Sequence, residues 1–108
     1  MLLSLLALVL ATQAAPALPQ LNAMQQGALT CSAAFALDAR TNGDAARRLR
    51  EREFFVRALA RIMDETGATR EAVAQMAGSE AQRLAAQPEQ LAKVLPACRS
   101  LLDAPPAG

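Results

Sequence analysis

Cys31 and Cys98 are the only two thiols in the chain, and they are its most reactive groups. A thiol serves as a nucleophile, a metal ligand or half of a disulfide. The chain has no histidine, which excludes Cys–His and Ser–His pairs, His-ligated zinc and a haem axial histidine. Two thiolates alone fall short of the four ligands of a structural zinc site. No C-x-x-C spacing is present to support a dithiol redox centre. A structural disulfide between Cys31 and Cys98 is the reading that remains. The alternative, a redox-active pair, requires a high and easily reduced potential.

The other acid and base groups offer little for catalysis. Glu51 and Glu53 point about 160° apart on a helix, so they cannot share one substrate atom. Asp64 and Glu65 precede a helix end and read as solvated charge. Ser32 and Ser100 each adjoin a cysteine, with no general base within helical reach. Met24, Met63 and Met76 fall on three separate helices at core positions, which suits packing better than a clustered copper site. The chain is therefore expected to be non-enzymatic, with no metal and no cofactor.

The arginines are the remaining candidates. Arg47, Arg50, Arg57 and Arg61 fall on one helical face, with Phe54 among them. An aromatic ringed by guanidinium groups forms a partner-docking or lipid-headgroup patch. The plainer alternative packs Phe54 under the N-terminal segment and leaves the arginines solvated. Arg48 and Arg52 lean towards the apolar side, where their stems can snorkel. With 11 basic and 10 acidic residues the net charge is +1, too small a field to draw nucleic acid.

These groups must be held by a single small domain, since the chain has 108 residues. Residues 1–37 carry no charged side chain. The run from Leu2 to Ala11, apolar but for Ser4, is shorter than the roughly 20 residues of a membrane span. It matches the core of a signal peptide, and ATQAAPA supplies the small residues of a cleavage site. Cleavage is expected after Ala14, with Ala17 as the alternative. The only positive charge ahead of this run is the amino terminus, which fits a basic leader region encoded upstream of Met1. Export places the protein in the periplasm or outside the cell, where paired cysteines persist. No transmembrane segment is expected in the mature chain.

Residues 21–103 read as a small all-α bundle of about four helices. Leu21, Met24, Ala28, Cys31 and Phe35 form the stripe of the first, which TNGD ends with a left-handed turn at Asn42–Gly43. The second runs from Asp44 to Gly67, with Leu49, Phe55, Val56, Leu59, Ile62 and Met63 as its apolar face. The third starts at a Thr69 cap, buries Val73, Met76, Ala77 and Leu84, and meets a candidate break at Gly78–Ser79. The fourth starts at Pro88 and buries Leu91, Val94, Leu95, Cys98, Leu101 and Leu102, with a kink or restart expected at Pro96. Residues 104–108 read as a disordered tail. Both cysteines fall on apolar stripes of the terminal helices, as a disulfide across a bundle requires.

The stretch EFFVRALARIMDETGATREAV (Glu53–Val73), flanked by TCSAAFAL and LPACRSLLD, resembles a group of small, exported, two-cysteine bacterial proteins of no assigned function. The resemblance spans most of the mature chain and supplies no catalytic residues. TCSAAFALD also resembles, more faintly, the cysteine-bearing helix of periplasmic acid-stress chaperones, which are small helical proteins with one disulfide. The spacings of Cys31, Phe35 and Asp38 differ from that pattern by one, and the span between cysteines is longer here. The expected function is an exported helical protein acting through contacts with a protein partner. The alternatives are an acid-stress chaperone and a docking module built on Phe54 and its arginines.

Overall fold

The computed structural model describes residues 17–103; the leader assigned to residues 1–14 and the tail at 104–108 lie outside them. Four helices follow one another: α1 (Ala23–Asp38), α2 (Ala45–Thr66), α3 (Arg70–Ala85) and α4 (Pro88–Asp103). No helix among the described residues is long and apolar enough to cross a membrane.

The organising element is α1. Every residue from Cys31 to Phe35 is buried, which on a helix means burial all the way round. The other three helices all pack on α1, and α2 and α3 meet it far more extensively than they meet each other. Along that stretch the helix has no solvent face on which to carry charge, and its residues are uncharged. Ala33 and Ala34 let the neighbouring helices come close, and Ser32 satisfies its hydroxyl by donating to the Ala28 carbonyl (2.8 Å).

Local signals set the helix ends. Asn22 and Gln25 form a reciprocal capping box at the start of α1. Asp44 Oδ1 accepts from the amides of Ala46 and Arg47 to start α2, and Thr69 does the same for Ala72 at α3. Gly67 ends α2 at φ 72°, the only positive φ among the described residues. The left-handed turn expected at Asn42–Gly43 does not form. Instead α1 ends on right-handed Ala39, and the Asn42 side chain bridges the connection, accepting from the Asp44 amide and donating to Asp38 and Glu51.

The candidate break at Gly78–Ser79 does not interrupt α3, and α4 does not restart at Pro96. A single helical glycine costs only about 1 kcal/mol. Pro96 and Ala92, whose carbonyl loses its helical partner, are both exposed, so water can serve it.

The Cys31–Cys98 disulfide joins α1 to α4, with Cα atoms 5.3 Å apart. Phe35 and Phe54 pack beside it. Closing so long a loop stabilises the fold by about 4 kcal/mol in the chain-entropy model. Leu29, Ile62, Val73 and Ala77 form a second cluster, and Ala33, Ala34 and Leu84 a third.

Four apolar residues expected inside lie outside. Leu49 and Val56 are each 58% exposed, Met24 is 79% exposed and Leu101 is 54% exposed. Helix α2 is rotated so that Glu51, Phe54, Ala58 and Ile62 face inward, which turns Leu49 and Val56 towards solvent. Met24 lies in the first turn of α1, where no other helix covers it.

Candidate functional site

The candidate arginine patch on α2 has no aromatic at its centre. Phe54 turns inward and meets Phe35 edge-on, with ring centroids 5.2 Å apart and planes at 89°. Its packing partner is thus α1, not the N-terminal segment. Of the arginines, Arg50, Arg57 and Arg61 are exposed and Arg47 is half-buried. Arg57 pairs with Glu53 at 3.9 Å and Arg61 with Glu65 at 3.3 Å. Exposed pairs of this kind contribute under about 1 kcal/mol.

The same rotation that buries Phe54 buries Glu51, which is 1% exposed. Its Oε1 accepts from Asn42 Nδ2 at 3.3 Å, while its Oε2 is buried with no hydrogen-bond donor among the described residues. Asp38, at the end of α1, lies beside it and is held by Arg99 of α4, whose Nη2 donates to Oδ1 at 3.0 Å. Burial, together with hydrogen bonding to Asp38 and the Asp38 charge, pushes the Glu51 pKa up to about 7; Asn42 and Arg47 oppose the shift. Glu51 therefore keeps its proton under mildly acidic conditions.

A second buried acid, Glu80 of α3, is 8% exposed. It accepts from Thr30 Oγ1 (2.7 Å), Gln26 Nε2 (3.1 Å) and Arg83 Nε. Burial on its own would raise its pKa, but the hydrogen bonds from Arg83, Thr30 and Gln26 outweigh burial and hold it below the usual carboxylate range. Glu80 is an ionised joint between α3 and α1.

Because α2 and α3 both lean on α1 and barely touch each other, a groove opens over α1, between α2 and α3 at one end and between α1 and α2 at the other. It has two lobes that share Ala36, Phe55 and Val56. One, of 580 Å³, is walled by Leu59 and Met63 of α2 and by Ala74, Ala77 and Gly78 of α3. The other, of 520 Å³, ends at Glu51 between Arg48 and Arg52. Apolar walls with a few polar groups at one end are the usual make-up of a small-ligand site.

Glu51 and Glu80 carry the polar chemistry of the interior, and neither stands out as a site in the sequence. Their signal was spacing. Glu51 falls three residues before Phe54 and seven before Ala58, and Glu80 continues the Val73–Ala77 stripe to Leu84. Compared with known proteins, the chain matches no protein-family model, no curated protein and no solved structure.

Proposed function

We propose that this is an exported, non-enzymatic helical binding protein that works by receiving an apolar group of its partner in the α2–α3 groove. The groove over Ala36, Phe55 and Val56 is the observation that carries the reading. Export is supported by the signal-like run from Leu2 to Ala11 and by a disulfide of the kind that persists in oxidising compartments. The residues that would act are binding residues, and no nucleophile with a base beside it is part of the proposal.

Two measurements test this. The mass of the protein recovered from the periplasm should begin at Ala15 or Leu18, with both thiols labelled only after reduction. A full-length mass with free thiols would overturn export. For the groove, the neutral dye Nile red should bind the oxidised protein saturably, and Gly78→Leu should abolish binding. A Cβ at Gly78 meets nothing within 4 Å, so the larger side chain fills the groove without crowding the core. Absence of saturable dye binding by the unmodified protein overturns the reading.

A further inference from the structure

The charge pattern at the Glu51 end of the groove narrows the ligand class. Arg48 and Arg52 are exposed and border that lobe. Neither has a carboxylate partner, because the four ion pairs among the described residues join Arg57 to Glu53, Arg61 to Glu65, Arg83 to Glu80 and Arg99 to Asp38. Arg48 uses one donor on the Asn42 carbonyl at 2.7 Å, and a guanidinium has five. Glu51 is the only acid bordering either lobe.

The groups around Glu51 come from every helix packed near it. Asp38 reaches it from α1, Asn42 from the connection, Arg47 from its own helix, and Arg99 of α4 neutralises Asp38. With Glu51 protonated, Arg48 and Arg52 set the sign of that end. Glu51, whose Oε2 is buried without a hydrogen-bond partner among the described residues, is one of the residues lining this lobe. Along the rest of the groove the only other charged side chain is Arg70.

We infer that the groove binds a single-chain amphiphile with an anionic head, of the fatty-carboxylate class. The head lies between Arg48 and Arg52 beside Glu51, and the chain runs over Ala36, Phe55, Val56, Leu59 and Met63. This rests on the groove being the binding surface and names its occupant. Each lobe falls within the roughly 300–1,000 Å³ of small-ligand sites, whereas a docked helix would need room for a cylinder about 10 Å across. Guanidinium groups bind carboxylates by paired, charge-assisted hydrogen bonds. Ionised Glu51 repels an anionic head, so binding favours the protonated form of Glu51.

The test is displacement of Nile red from the full oxidised chain by dodecanoate, by dodecanesulfonate and by dodecyltrimethylammonium. The two anions should act at concentrations about tenfold below the cation. Arg48→Ala with Arg52→Ala should shrink that preference to about twofold or less. Dodecanesulfonate stays ionised throughout, so its weaker binding at about pH 8 than at about pH 6 reports Glu51. Glu51→Gln should keep the tighter binding at both values. Equal displacement by anions and cation, or a preference unchanged in the double variant, overturns the anionic amphiphile and leaves the groove as a binding surface. A pH dependence that survives in Glu51→Gln overturns the role of Glu51. Absence of dye binding overturns both readings.

Discussion

Helix α1 meets a buried carboxylate on two sides, and the two are kept in opposite states. On the α3 side, Glu80 receives hydrogen bonds from Thr30, Gln26 and Arg83 and stays ionised. On the α2 side, Glu51 receives one, from Asn42, and lies beside another acid, so its pKa rises to about 7. Burial is similar at the two sites; the supply of donors is not. A fully bonded carboxylate acts as a joint, whereas a poorly bonded one is left to hold a proton and to border a groove.

Removing the disulfide should disturb this contrast most. Cys31→Ala with Cys98→Ala should lower stability by about 4 kcal/mol in urea unfolding. It should also admit water to Glu51, and because burial is the largest cause of the raised Glu51 pKa, the value measured by NMR titration should fall towards its ordinary value. An unchanged Glu51 pKa would show that α4 has no part in setting it.

Next in size is the pH dependence, where the two acids carry opposite signs. Glu51 binds its proton more tightly in the folded state, so its contribution is fully present below its unfolded pKa. That contribution is lost as pH rises to about 7. Glu51→Gln should therefore be close to neutral at about pH 5 and stabilising by up to about 3 kcal/mol at about pH 8. Glu80 has a lowered pKa, so its contribution is present above its unfolded value and is lost as pH falls through the folded one. Glu80→Gln should flatten only the acid limb of the stability curve.

At neutral pH, Glu80→Ala should cost about 2 kcal/mol, because it removes the acceptor shared by half-buried Thr30 and by Gln26 and Arg83. Urea midpoints would show whether the α3 side depends on its acid more than the α2 side does. The smallest expected effect is at Gly78. Gly78→Leu should raise the midpoint by a gain of about 0.7 kcal/mol in helix propensity, while closing the groove. A loss of stability there would mean that the groove wall cannot accept a side chain.

Much of this architecture is legible in the residues because its causes are local. Asp44, Gly67, Thr69 and Pro88 mark helix ends through the hydrogen-bonding needs of nearby backbone, and two cysteines on apolar stripes mark the disulfide. The rotation of α2 was not legible. Its apolar spacing allows a face containing Leu49 and Val56 as readily as one containing Phe54 and Ala58. The observed face is the one that meets residues distant in sequence, with Phe54 on Phe35 of α1 and Ile62 against Leu29, Val73 and Ala77. The groove was illegible for the same reason, since it depends on α2 and α3 each packing more on α1 than on each other.

The Cys31–Cys98 bond also has a topological consequence. Both groove walls, α2 and α3, lie inside the covalent ring that it closes. A protease that nicks the exposed stretch around Gly67 opens the ring without releasing either piece. The cleaved protein then has the mass of the whole plus one water until a reductant separates it into two. The walls of the groove can spread to admit a ligand, or even be cut, and still be tethered to the same central helix.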